Sequence, residues 1–166
     1  LLTGRGPTVS EINHLAPFWN EVVHIACLSN TSGDNSMLPY TEDNIRFCPI
    51  PTFGGTSLKE KINVFTQAPK IIRIILRELK SATHVQVRGP MGIGMYVLPL
   101  FKFLPRKYKL WVKYANNWAH VSKSSGYRFQ RWMLQTNLLK CPVTINGFWQ
   151  NQARLLKSFE NPCITE

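Results

Sequence analysis

Strand-like and helix-like patterns alternate along this chain, which restricts it to few architectures. Glu21–Leu28 (EVVHIACL) is β-rich without polar periodicity, the pattern of a strand buried on both faces. Ile45–Ile50 (IRFCPI) is a second strand, and its Pro49 predicts an edge position or an early end. His84–Val87, Lys109–Tyr114 and Cys141–Asn146 read as further strands, with Cys163–Ile164 as a short last one. Helical patterns stand between them. Glu11–Trp19 is a short helix after Gly4-Arg5-Gly6-Pro7, with Ser10 as its N-cap. Ser57-Leu58-Lys59-Glu60 is a capping box that opens a helix at Leu58, and Pro69 predicts a kink or a junction of two helices. Met91–Leu104, Tyr127–Leu139 and Gln150–Ser158 complete the helices, with Phe129, Trp132, Met133 and Leu138 expected to face inward. Ser29–Asp43 and Asn116–Gly126 read as loops. This order predicts an α/β fold with a mostly parallel sheet and helices on both faces. In such sheets ligands bind beyond the carboxyl ends of strands. That directs attention to Gly4–Gly6, Arg88–Gly94 and Ala115–Trp118.

Charge narrows the partner. From Leu79 to Phe159 there is no aspartate or glutamate, yet this stretch holds Arg88, Lys102, Arg106, Lys107, Lys109, Lys113, Lys123, Arg128 and Arg131 among its cations. The whole chain carries +11. An anionic partner is expected: phosphate, nucleotide, acidic glycan, lipid head group or nucleic acid. Carboxylate chemistry, if any, must come from outside this stretch. The chain has 166 residues, enough for one domain spanning 1–166, and contains no membrane-length apolar run. It begins Leu1-Leu2 without a methionine and stops at Glu166 without a tail, so a domain cut from something longer is expected.

Cys27, Cys48, Cys141 and Cys163 are widely spaced, with no C-x-x-C and no Cys/His cluster. Neither zinc nor a redox pair is indicated, and buried free thiols in a reducing cytoplasm are expected. His24 and His84 fall in apolar strands and read as core residues, whereas His120 stands in a polar loop at a strand end.

Three segments could carry chemistry. Gly4-Arg5-Gly6 could bring backbone N–H groups to a phosphate, or could be a tight turn only. Arg88-Gly89-Pro90-Met91-Gly92-Ile93-Gly94 sets a strand-end cation before glycines at a helix start, suiting an anion or close helix–sheet packing. Lys113-Tyr114-Ala115-Asn116-Asn117-Trp118 ends a strand with paired amides beside a tryptophan. That combination suits carbohydrate, whose rings offer apolar faces and whose hydroxyls form hydrogen bonds. The other reading is a core tryptophan followed by turn residues.

In order and spacing, several of these segments resemble the N-terminal domain of a GT-B glycosyltransferase, in particular glycosyltransferase family 4. Phe18–Ala26 (FWNEVVHIA) is similar to that group's F-D-E-V passage, and Ile45–Pro51 (IRFCPIP) to its strand ending in P-x-P. Ala82–Pro90 (ATHVQVRGP) resembles D-x-V-x-x-R-x-P, with Thr83-His84 where Asp is usual. Lys113–Trp118 (KYANNW) resembles K-Y-x-G-N-W, with Asn116 where Gly is common. Val143–Gly147 and Asn161–Glu166 look like the last strands before an interdomain crossover. The first strand and its glycine loop are barely represented.

The resemblance implies a Rossmann-like, doubly wound domain forming the acceptor side of a two-domain cleft, cytoplasmic or peripheral at the inner membrane face. It implies a nucleotide-sugar donor held mainly by a second domain beyond Glu166, with no metal or other cofactor, and a glycan or lipid-linked acceptor. The implied acceptor-side residues are Arg88, Lys113, Asn116, Asn117, Trp118 and His120, with Gly4, Arg5 and Gly6 near the donor diphosphate; no catalytic residue is assigned. Two other classes compete. A nucleic-acid-binding module would use the cations with Trp111, Tyr114, Trp118, Tyr127 and Trp132. An anionic-membrane contact would use Lys102, Arg106, Lys107 and Lys109 beside Phe101, Phe103 and Leu104.

Overall fold

The computed structural model describes residues 3–28, 36–55, 57–103, 107–118, 124–149, 152 and 155–159. The chain divides into two compact units, one reaching Thr52 and the other running from Phe53 to Glu160.

In the first unit, β1 (Thr3–Arg5) leads directly into α1 (Gly6–Leu15). The helix starts five residues earlier than the expected Glu11, because Pro7 pre-sets φ for a first turn; Arg5, not Ser10, is the N-cap residue. A 3₁₀ turn at Ala16–Phe18, with Pro17 inside it, ends this stretch. β2 (Val22–Cys27) and β4 (Ile45–Ile50) pair in parallel, from Val22 with Ile45 to Cys27 with Ile50. Pro49, opposite Ala26, therefore sits in a sheet that has two strands among the described residues. Within the segment expected to be all loop, β3 (Met37–Pro39) forms a short antiparallel pair with β1.

The second unit opens with α2 (Leu58–Leu79), a single helix with Pro69 inside it. It begins where the capping box places it, although the side chains of residues 58–61 lie outside the described ones. Its Ile71, Ile75 and Leu79 are buried, at helical spacing. Four parallel strands follow: β5 (His84–Gly89), β6 (Lys109–Asn117), β7 (Val143–Asn146) and β8 (Leu156–Phe159). α3 (Gly94–Phe103) connects β5 to β6, and α4 (Ser125–Gln135) connects β6 to β7. The strands lie side by side in chain order. Successive right-handed crossovers in one direction put their helices on one face, and α3 does pack on α4. Within this sheet the winding runs one way only.

That face is the core. Val87, Val112, Val143 and Leu156 share one row across the four strands, and Tyr114 and Ile145 lie one row further on the same face. The helix–sheet seam is closed by Gln130 of α4, which is 1% exposed. Its Nε2 donates to the Met91 carbonyl (3.0 Å) and its Oε1 accepts from the Met91 N–H (3.4 Å). Gly94 lies against the Gln130 amide with no room for a Cβ. The glycines after Arg88 thus serve close packing, and the Met91 amide is already engaged.

Other differences from the sequence expectations have local causes. α3 starts at Gly94, not Met91, after a turn containing the cis Gly89–Pro90 peptide. α4 stops at Gln135, and the residues beyond turn through left-handed Asn137 and Lys140. Phe129 and Trp132 are exposed, because the buried stripe of α4 is Gln130, Met133 and Leu134. Leu156–Phe159 is strand where a helix was expected: its backbone completes the ladder beside β7. Cys48 and Cys141 are buried free thiols, and burial pushes Cys141 up to about 11. Cys27 is exposed, its thiol donating to the Pro51 carbonyl at 3.5 Å. His24 meets the Tyr40 hydroxyl at 2.6 Å, whereas His84 is exposed beside Thr83 Oγ1 at 3.0 Å. Cys163–Ile164 lies outside the described residues.

Candidate functional site

The sheet face opposite α3 and α4 is polar. Strand register puts Arg88, Lys113, Thr144 and Lys157 in one row across β5 to β8, hence on the same face. Trp111, one row before, donates from Nε1 to Thr144 Oγ1 at 3.0 Å. Lys113 is 1% exposed, and its ammonium stands 4.2 Å from the centroid of the Phe159 ring. A buried cation on an aromatic face is a favourable pair and leaves this side chain fixed in place.

The carboxyl edge is shaped by an irregularity in β6. Tyr114 pairs with Ile145, but the next pair is Asn117 with Asn146, so Ala115 and Asn116 are surplus on β6. Such a bulge twists a strand and re-aims its side chains. Asn116 and Asn117 are both exposed there, and Asn116 Oδ1 accepts the Asn117 N–H at 2.8 Å. Both belong to the lengthened strand, not to the loop expected from sequence.

Trp118 does not join them as a stacking platform. It is 5% exposed, with its ring edge-on to Tyr114 at 4.8 Å and the Arg131 guanidinium 4.3 Å from its centroid. Arg131 also donates to the Trp118 carbonyl. Burial raises the Tyr114 hydroxyl pKa, with Arg131 opposing. This cluster of Tyr114, Trp118 and Arg131 is structural support beneath the bulge.

The remaining expected residues are dispersed. Gly4 and Arg5 lie in β1 and Gly6 opens α1, all in the first unit. The Gly6 N–H donates to the Ser36 carbonyl at 2.8 Å, and a Cβ at Gly6 would meet that oxygen at 2.7 Å. That amide is taken by the chain's own turn. Arg88 is half-buried in β5, in register with Lys113. His120 lies outside the described residues. Of the basic–aromatic cluster, Lys102, Phe103, Lys107 and Lys109 are exposed, Phe101 is buried, and Leu104 and Arg106 lie outside the described residues.

Two residues at this edge were not anticipated. Asn146 ends β7, and its side-chain oxygen is buried without a hydrogen-bond partner, the one such atom among the described residues. Phe148, two residues on, is 81% exposed. The Asn146-Gly147 dipeptide was the available signal, since Asn-Gly after an apolar strand marks a tight turn; Gly147 adopts φ 75°. No group of three or more His, Cys, Asp or Glu side chains converges on a metal-sized site among the described residues. Among the described residues, too, no helix is long and apolar enough to cross a membrane. No protein-family model matches the chain, and neither does any curated protein or solved structure.

Proposed function

We propose that this chain is the acceptor-binding part of a glycosyltransferase that uses a nucleotide-sugar donor, with its acceptor glycan or glycolipid held at the carboxyl edge of β6 and β7. The observation that carries this reading is the bulge after Tyr114, which sets Asn116 and Asn117 at the strand ends beside Asn146. Clustered amides offer donors and acceptors together, the complement of sugar hydroxyls. Arg88, half-buried in β5 and in register with Lys113, adds positive charge near this edge, suiting a phosphorylated substrate. The reading carries with it a doubly wound sheet of the kind found in one half of a GT-B enzyme, a donor domain elsewhere, and no need for metal.

The test is acceptor binding by a panel of neutral and lipid-linked glycans, with Asn117→Ala as the variant. Loss of one hydrogen-bonded amide predicts an affinity about 10-fold lower, equivalent to ~1.4 kcal/mol. Asn117 is exposed, so thermal stability is expected to stay within about 0.5 kcal/mol of wild type. Glycan binding that ignores Asn117 overturns the placement; no glycan binding at all overturns the function.

One observation favours a second reading, polyanion binding without catalysis. The polar sheet face carries Lys109, Arg88 and Lys157 together with the half-buried Trp111. Cations interleaved with an aromatic suit a nucleic acid or an anionic membrane surface.

A further inference from the structure

The buried stripe of α2 is not its only apolar one. Ile62, Phe65, Pro69, Ile72 and Leu76 recur at spacings of three and four residues, so they share one face of the helix. Ile72 and Leu76 each follow a buried isoleucine, Ile71 or Ile75, which sets this face about 100° round the helix from the packed one. It is open. Phe65 is 79% and Ile62 54% exposed, Pro69 and Leu76 are exposed, and Ile72 is half-buried. Scattered apolar residues on a surface are ordinary, but a row along about 21 Å of one helix is a patch. The next sector round the helix is cationic. Lys70, Arg73 and Arg77 are exposed, and each stands one residue after a member of the apolar row. Ala68-Pro69-Lys70, Ile71-Ile72-Arg73 and Ile75-Leu76-Arg77 thus repeat one order: packed side, open apolar row, cation. No aspartate or glutamate occurs from Ile62 to Arg77, and Glu78, the next acid, is held by Arg77 at 2.8 Å.

We infer that this outer face of α2 docks on the surface of an anionic lipid bilayer, with Ile62, Phe65 and Leu76 entering among the head groups while Lys70 and Arg73 meet the lipid phosphates. Charge decides the occupant. An apolar row beside a row of cations, with no acid between them, complements a surface that is negative outside and apolar beneath. The cations in mid-helix exclude a span, so α2 lies along the surface. A second copy of this chain is a poorer match, because it brings the same charge of +11. One helix stripe also offers a folded partner little of the roughly 1,000 Å² that a specific interface requires, whereas a bilayer requires no matching shape. The residues differ from those of the basic–aromatic cluster around Lys102 and from those of the polar sheet face. The inference stands without the glycan reading, and its failure leaves that reading untouched.

The experiment floats the 166-residue chain with vesicles of phosphatidylcholine, either alone or in equal mixture with phosphatidylglycerol. Binding to the mixed vesicles only is expected. Phe65→Ser is expected to weaken it at least about 10-fold. Lys70→Gln and Arg73→Gln should each weaken it about 5-fold. All three positions are exposed, so thermal melting is expected to show Tm essentially unmoved; the two charge variants keep the test open even if Phe65→Ser folds poorly. Phe103→Ser, in the basic–aromatic cluster, should bind as wild type does. A loss in Phe103→Ser with none in Phe65→Ser assigns the contact to that cluster and overturns the inference. Binding that falls with salt yet ignores Phe65→Ser is the general effect of net charge, and also overturns it. Equal flotation with both vesicle types removes the charge match on which the inference rests, and no flotation with either removes the bilayer. A dimer in sedimentation that Phe65→Ser converts to monomer, with no vesicle binding, makes the occupant a second copy instead.

Discussion

Trp118 and Asn117 are adjacent and behave oppositely. The tryptophan is buried between Tyr114 and Arg131, while the asparagine is exposed at the sheet edge. Trp118→Ala is therefore expected to cost about 3–5 kcal/mol of stability, measured as a lowered urea midpoint. A glycan-binding defect in that variant would follow from lost support under the bulge, not from a lost sugar contact. A midpoint shifted by less than ~1 kcal/mol would mean that the aromatic cluster is not the packing unit described here. The sequence could not separate these neighbours. A tryptophan beside two asparagines looks alike whether it stacks on a sugar or on Arg131, because the deciding partner is 13 residues away on α4. Asn146 was hidden for a related reason: whether an amide is satisfied depends on its neighbours in space.

At the scale of elements, the parallel strands were the most legible part. β2 and β4 announce themselves through short apolar-rich runs, broken by His24 in the one and Arg46 in the other, and β4 keeps its expected bounds. β8 was not legible, since Leu-Lys-Ser-Phe is too short to fix a period and gains its strand character from the β7 ladder. The bulge in β6 was invisible in principle, because register belongs to two strands at once. The joint between α3 and α4 was half legible: the glycines were, their partner Gln130 was not. Gly94→Ala is expected to destabilise by about 1–3 kcal/mol through overlap with Gln130. Combined with Gln130→Ala the two losses should fall short of additive, because the second substitution removes the obstacle. Additive losses in a double-mutant cycle would show that the two residues do not meet as described.

For the whole molecule, charge and topology pull toward different ligands. The acid-free stretch from Leu79 to Phe159 gives a field that any polyanion feels. Binding to a single-stranded oligonucleotide or to anionic vesicles is accordingly expected to weaken steeply as salt rises. Binding of a neutral methyl glycoside at the strand ends should stay flat over the same range, and titration at two salt concentrations separates the modes. A salt-independent oligonucleotide affinity, or a salt-dependent glycoside affinity, would contradict this division of labour.

Within the sheet of β5 to β8 the strands follow one another in order, so no two crossovers diverge inside it. The irregularity at its carboxyl edge is local, two residues that β6 carries and β7 does not match. Selection could then lengthen, shorten or recode that insertion and change which side chains stand at this edge, while the ladder on either side keeps its register. The edge would change by editing a few codons, with the scaffold under no pressure to follow.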